Sequence, residues 1–227
     1  MTIVITGASR GIGFELANLC IGHGHQVFCL TRHTDSLLQK QAPGLHVIKT
    51  DLADEKSIAV AVQQIQKAAG HIDVVVNNAG SLVNKPFAEI TYAELEQVYK
   101  VNVFAPFKLV QLLRPMLGHT SHAHVVNISS IGGFQGSVKF PGLSAYSSSK
   151  AAIAGLTECM AEEFKEQNIT VNCLALGAVQ TEMLAEAFPG YEAPVTPLQM
   201  AEYIYEFART GHKYYNGKIL PVSLSTP

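Results

Sequence analysis

Thr2-Ile3-Val4-Ile5-Thr6-Gly7-Ala8-Ser9-Arg10-Gly11-Ile12-Gly13-Phe14-Glu15-Leu16-Ala17 stands at the start of the chain. The run Ile3 to Thr6 is short, apolar and stopped by Gly7. Apolar periodicity then begins at Phe14 and continues through Leu16, Ala17, Leu19 and Cys20. The reading is a strand, a glycine-rich turn and a helix. Glycines let a backbone turn tightly and approach a diphosphate, and a helix N-terminus offers N–H donors and a positive dipole. An ordinary βα turn can use the same residues. The position, opening a strand–turn–helix unit, favours the phosphate reading.

Working outward, Gly22 and Gly24 mark a helix end, and Gln26 to Leu30 reads as a second strand. The residue just past that strand selects the nucleotide in such folds: an acid binds a ribose 2′-OH, an arginine meets a 2′-phosphate. Here the tip is Thr31-Arg32-His33, and Arg10 adds a cation nearby. Both favour NADP(H) over NAD(H); the alternative is a solvated Arg32 with loose selectivity. Leu45 to Lys49 is a third strand, leading to Asp51-Leu52. A helix capped by Asp54 follows, with Ile58, Val62, Ile65 and Ala69 on one face. Asp73 to Asn77 is a fully apolar fourth strand, as a parallel sheet covered on both faces requires. It ends in Asn77-Asn78-Ala79-Gly80, small residues against which a flat ligand can lie.

Thr91-Tyr92-Ala93-Glu94 is a capping box. It starts one long helix carrying Leu95, Val98, Val101, Asn102, Phe107, Val110, Leu113 and Met116. Asn102 is an amide in an apolar stretch, there to satisfy backbone groups, to fix a local backbone or to hold a water near Lys150. Val125 to Ile128 is the fifth strand, ending in Ser129-Ser130, followed by a loop with Gly132, Gly133, Gly136 and Gly142. A helix then runs from Ala145 to Phe164, with small residues Ala151, Ala152 and Gly155 suited to close packing on the sheet or on another subunit. Thr170 to Ala175 is the sixth strand. Residues 177–195 have little periodicity and read as a lid. Thr196-Pro197-Leu198-Gln199 caps a last helix, and Lys218 to Val222 is a seventh strand. Strands alternating with helices predict an α/β fold: a single Rossmann-type doubly wound domain over residues 1–227, its seven-stranded parallel sheet flanked by helices on both faces.

Within the helix after the fifth strand, Tyr146 and Lys150 are four residues apart, so they share a face. An ammonium beside a phenol favours the phenolate and lowers its pKa. The pair is a proton donor and acceptor suited to reducing a carbonyl or oxidising an alcohol.

Composition bounds the alternatives. With 48% hydrophobic and 15% charged residues among 227, the chain is a compact body and not a disordered one. A net charge of -2 without a basic block gives no footprint for nucleic acid. Cys20, Cys29, Cys159 and Cys173 are scattered among apolar residues and read as reduced core thiols of a cytoplasmic protein. The opening run is too short for a signal peptide, and no apolar run reaches membrane-spanning length. His119, His122 and His124 read as a solvated turn, and no metal is expected. His23 and His25 sit in a helix-to-strand turn. Tyr203, Tyr205, Tyr214 and Tyr215 read as packing residues.

Taken in order, Thr6 to Gly13, Asn77 to Gly80, Ser130, and Tyr146 with Lys150 resemble the short-chain dehydrogenase/reductase family. The glycine loop, Asn127-Ile128-Ser129-Ser130 and Asn168-Ile169-Thr170-Val171-Asn172 look most like 3-oxoacyl-carrier-protein reductases. The resemblance implies an enzyme interconverting a small-molecule carbonyl and its alcohol with NADP(H). Tyr146 would be the general acid/base, Lys150 would tune it, Ser130 would polarise the carbonyl and Asn102 would support a relay water. Gly7, Ser9, Arg10, Gly11, Ile12 and Gly13 would hold the diphosphate and nearby ribose, and Arg32 the 2′-phosphate. Asp51 and Leu52 would flank adenine; Asn78, Ala79 and Gly80 would line the adenosine side. Val179 and Thr181 would hold the carboxamide, and Tyr146 and Lys150 would lie against the nicotinamide ribose. A homodimer or homotetramer is the implied assembly. The alternatives are a catalytically silent NADP sensor or scaffold and an NAD-linked dehydrogenase.

The chain departs from the family pattern in places. Fifteen residues separate Ser130 from Tyr146, more than is common, so the loop bulges near the substrate. Ser129 is a fallback for Ser130. Leu176-Gly177 replaces Pro-Gly, the lid between Thr181 and Thr196 is short, Gln167 replaces an arginine, and Ser223 to Pro227 lack the usual glycine pair.

Overall fold

The computed structural model describes residues 1–119 and 121–224. Ser225, Thr226 and Pro227 lie outside the described residues. In chain order the elements are β1 Thr2–Thr6, α1 Gly11–Gly22, β2 Gln26–Thr31, α2 Asp35–Leu38, β3 Leu45–Lys49, α3 Glu55–Ala68 and β4 Val74–Asn77. Then come α4 Tyr92–Tyr99, α5 Ala105–Leu113, β5 Ala123–Ser130, α6 Ser144–Phe164, β6 Ile169–Leu176, α7 Glu182–Ala187, α8 Pro197–Thr210 and β7 Ile219–Val222. The strands form one seven-stranded sheet in the order β3-β2-β1-β4-β5-β6-β7, and every pairing is parallel.

Alternation along the strands builds two cores. Val4, Val75, Val125 and Val171 face Ile58 and Ile65 of α3, Leu109 and Leu113 of α5, and Met160 of α6. Ile3, Ile5, Val74 and Val76 face Leu16 and Ala17 of α1 and Ile204 and Ala208 of α8. Burial on both faces explains the apolar runs of β1, β2 and β4, while the buried polar side chains of β5 and β6, His124, Asn127 and Asn172, are hydrogen-bonded. Helix starts are fixed as the sequence predicts: Asp54 accepts from the Lys56 amide, and Thr91–Glu94 and Thr196–Gln199 form reciprocal capping boxes. The chain winds outward from β1 to β3, then returns to β4 on β1's other side. That reversal opens a crevice at the carboxyl ends of β1 and β4, where doubly wound sheets bind ligands.

Several expectations are corrected. The helix expected from Thr91 to Met116 is continuous but irregular: a π-helical turn, Lys100–Phe104, lies between α4 and α5. The extra residue in that turn rotates the later positions, so Phe107 is half exposed while Ala105, Leu109 and Val110 take the core. The 177–195 segment contains α7, whose N-terminus is capped by Thr181. Cys20, Cys29 and Cys173 are buried free thiols, but Cys159 is exposed on α6. His124 is not in a solvated turn. It lies inside β5, 1% exposed, with its ring hydrogen-bonded to the Ala208 carbonyl and the Asn172 amide; that burial holds its pKa down at about 4. Among the described residues no helix is long and apolar enough to cross a membrane, and no cluster of three or more His, Cys, Asp or Glu is placed to hold a metal.

Candidate active site

The crevice is shaped first by the absence of side chains. Gly7 ends β1 at φ +69°, and a Cβ there would stand 2.8 Å from the Ala79 Cα. A Cβ on Gly13 would press into the Asn78 side-chain nitrogen and the Gly7 carbonyl oxygen, closer than real Cβ atoms approach. Asn78 uses that nitrogen to donate to the Thr6 and Gly7 carbonyls at 3.0 and 3.2 Å, and the Ala79 amide donates to the Thr6 hydroxyl at 3.0 Å. The ends of β1 and β4 are thus stitched together, and the start of α1 lies beside them with no side-chain cap and no acid in its first turn. This is the cradle a diphosphate fits. Ser36 of α2 donates to the Ser9 carbonyl at 2.9 Å and braces the loop. Arg32 follows β2 directly and, with Arg10, lines the same cavity.

At the other end of the crevice, β5 and α6 set the polar groups. Asn77 donates to Asn127 at 2.7 Å and Asn127 to Thr157 of α6 at 2.8 Å, a buried ladder fixing the register of β4, β5 and α6. Ser130 is the last residue of β5; its hydroxyl accepts from the Gly132 amide at 3.2 Å, and it lines the same cavity as Tyr146. Ser129 is buried and donates to the Lys150 carbonyl at 2.6 Å, so the hydroxyl that meets Tyr146 is that of Ser130. Lys150 is 4% exposed, and its ammonium donates to the Ile128 carbonyl at 2.8 Å. Burial brings its pKa down to about 8.

The Lys150 ammonium sits 5.7 Å from the centre of the Tyr146 ring and is committed to Ile128. Burial raises the Tyr146 pKa, and the hydrogen bond with Ser130 is what opposes the rise.

Asn102 is held by the π-helical turn and fully engaged. Its amide donates to the Ser81 carbonyl and the Ser149 hydroxyl, both at 2.9 Å, and its carbonyl accepts from the Ser81 amide at 2.7 Å. Ser149 in turn donates to the Tyr146 carbonyl at 2.7 Å. Asn102 therefore fixes backbone on both sides of the site. Gly80 lies beside both: a Cβ placed on it would make ordinary contacts, 3.7 Å from the Lys150 ammonium and 3.9 Å from the Asn102 carbonyl oxygen. π-turns of this kind recur at functional sites.

One cavity of about 730 Å³ joins the two ends. It is lined by Gly7, Ser9, Arg10, Gly11, Ile12, Arg32, Asp51, Leu52, Asn78, Ala79, Gly80, Ser130, Tyr146, Lys150, Val179 and Thr181. Gly13 and Asn102 stand behind its wall. Sequence reasoning did not single out Phe140, Phe188, Leu82 or Met183, which line it as well. The only hint of them was the extra length before Tyr146.

A glycine-cradled crevice at a strand-order reversal, with a serine, tyrosine and lysine at its far end, is the arrangement of a doubly wound α/β fold of the dehydrogenase type. The chain belongs to the short-chain dehydrogenase family, whose model matches residues 1–192. It is 33% identical over 192 residues to the ketoacyl reductase HetN of a Nostoc species, an alignment covering 82% of this chain and 66%, just under two thirds, of that relative. The fold is similar to a 4-hydroxyisoleucine dehydrogenase mutant complexed with NADH and succinate (TM-score 0.88, 25% identity, 98% of this chain and 97% of the other). It is also similar to RhlG of Pseudomonas aeruginosa in an NADP active-site complex (TM-score 0.85, 26% identity, 98% and 94% of the two chains).

Proposed function

We propose that this chain is an NADP(H)-dependent oxidoreductase that interconverts a small carbonyl compound and its secondary alcohol, with Tyr146 as general acid/base. The observation that carries the reading is that Ser130, Tyr146 and Lys150 line one end of a cavity whose other end is the glycine loop and Arg32. Ser130 and Tyr146 present two hydroxyls to one substrate oxygen. Both stabilise the charge that develops there, and Tyr146 carries the proton to or from it. Lys150 places a cation behind Tyr146, in a buried setting where its field is weakly screened. Asn102 keeps the Ser81 backbone and the first turns of α6 in register.

The nicotinamide supplies or accepts the hydride when bound. Gly7, Gly11 and the start of α1 would hold its diphosphate. Asp51 and Leu52 would flank adenine, and Val179 and Thr181 would meet the carboxamide. Arg32 stands just past β2, where an acid would select NAD(H), and Arg10 lines the same cavity, which supports NADP(H); RhlG in complex with NADP is a structural relative with the same fold.

The test is oxidation of NADPH and NADH against ketones and 3-oxoesters. Arg32→Ala is expected to raise KM for NADPH about tenfold or more and to leave that for NADH unchanged, as loss of a charge-assisted contact implies. Tyr146→Phe is expected to lower kcat by a factor of about 10³ while cofactor still binds. Undiminished turnover in that variant would end the assignment.

A further inference from the structure

The substrate end of the cavity carries information that the general reading leaves unused. Three segments distant in sequence close over it: residues 81–85 after β4, the long loop before α6, and α7 with Phe188. They are tied to one another directly. The Lys85 amide donates to the Gly142 carbonyl at 3.1 Å, and the Asn84 side chain donates to the Ala187 carbonyl at 2.9 Å. Phe140 and Phe188 meet edge to face, with ring centres 5.3 Å apart and planes at 77°. The wall beneath is Leu82, Val101, Leu143 and Met183.

Charge is distributed the other way. Among the described residues lining the cavity, the cationic side chains are Arg10 and Arg32 at the nucleotide end and Lys150, whose ammonium is bonded to the Ile128 carbonyl. The lysines on the closing segments are engaged elsewhere. Lys85 pairs with Glu94, and Lys139 donates to the Phe134 and Ser137 carbonyls of its own loop. A carboxylate or phosphate on the substrate would therefore enter an apolar compartment without a partner, and burying an unpaired charge is costly.

We propose that the substrate is a carbonyl compound with an extended apolar body, alkyl or aryl, seated under the Phe140–Phe188 pair and carrying no charge beside the carbonyl, and not a 2-oxo acid. This rests on the oxidoreductase reading above and adds the substrate class. Phe140 and Phe188 are then specificity-determining residues, and the extra length before α6 is what brings Phe140 over the site.

The experiment is kcat/KM, with NADPH, for methyl ketones of increasing chain length beside the 2-oxo acids of matching length. Each buried methylene is expected to raise kcat/KM about threefold to fourfold until the compartment is filled. The 2-oxo acids are expected to be at least about tenfold poorer than the matched ketone. Phe188→Ala is expected to flatten the chain-length dependence, and Phe188→Leu, which keeps an apolar side chain, to retain part of it; melting curves establish that both are folded. Turnover that favours the 2-oxo acid, or that ignores chain length, overturns this substrate class and leaves the oxidoreductase reading standing. Binding of NADPH with no turnover of any carbonyl overturns both.

Discussion

At the nucleotide end of the crevice the decisive contacts are between backbones. Gly7 meets Ala79, Gly13 meets Asn78 and the Gly7 carbonyl, and any added carbon collides. At the substrate end the contacts are between side chains or from a side chain to a remote carbonyl: Phe140 to Phe188, Asn84 to Ala187. The first kind of wall admits few residue types and so leaves a mark in the sequence. The second accepts many combinations of apolar side chains and leaves almost none. The comparison also says where variation is tolerated. A change at the nucleotide end threatens the fold and the cofactor together, while a change at the substrate end re-aims the site and leaves the sheet alone.

Gly13→Ala breaks the comparison at its most rigid point. The new methyl group has only backbone and a hydrogen-bonded amide to push against, so overpacking of about 1–3 kcal/mol is expected. For a chain of this size that lowers Tm by about 3–10 °C. Cofactor affinity falls with it, because the Asn78 bonds joining β1 to β4 must shift. Thermal melts with and without NADPH measure both. A variant that melts like the wild type and binds NADPH equally well would mean that the loop yields, and that the nucleotide end is no stiffer than the other.

Lys150→Met sharpens the boundary between the two ends, because Lys150 belongs to the chemistry and burdens the fold. Its pKa is brought from 10.5 to about 8 by burial. Between those values the unfolded chain binds more protons than the folded one, so stability rises with pH across the window and the penalty is fully present below it. That penalty is of the order of 3 kcal/mol at pH 7, partly offset by the hydrogen bond to Ile128 that the variant loses. Lys150→Met is expected to be inactive, to melt at or above the wild-type temperature at pH 7, and to lose that advantage as pH rises toward 10. A variant that melts well below wild type at pH 7 would make Lys150 a structural support.

Legibility in the sequence follows the same division. The strands, the caps at Asp54, Thr91 and Thr196, the glycine loop and the Ser130–Tyr146–Lys150 set are visible because each depends on local pattern or on a residue type that sterics demand. The π-helical turn at Asn102 is not visible. Helical periodicity continues on both sides of it, and one inserted residue changes only which later positions face inward, hence the misplacement of Phe107. The burial of His124 is hidden for another reason: its partners, the Ala208 carbonyl and Asn172, arrive from α8 and β6. The Phe140–Phe188 contact joins segments with no common pattern, so the sequence offered only a loop of unusual length. The phenol's environment is a further case. The spacing of Tyr146 and Lys150 was legible, but the hydrogen bond from the Lys150 ammonium to the Ile128 carbonyl was not.

The two ends touch at one ion pair, and its removal gives the smallest and most diagnostic effect. Arg10 of the glycine loop lies 3.9 Å from Glu186 of α7, with both side chains more than half exposed. Exposed pairs of this kind contribute about 0.2–1 kcal/mol, so Glu186→Gln is expected to leave Tm and the ketone chain-length dependence unchanged. Its effect lies in competition. Glu186 and a 2′-phosphate would seek the same guanidinium, so freeing Arg10 is expected to tighten NADPH binding about twofold at low salt, to leave NADH binding unaltered, and to lose the difference as ionic strength screens the pair. Fluorescence titration of both cofactors at two salt concentrations reads this directly. Weaker NADPH binding in Glu186→Gln would reverse the sign. Glu186 would then be holding Arg10 in position for the phosphate, and α7 would belong to the nucleotide end of the crevice as much as to the substrate end.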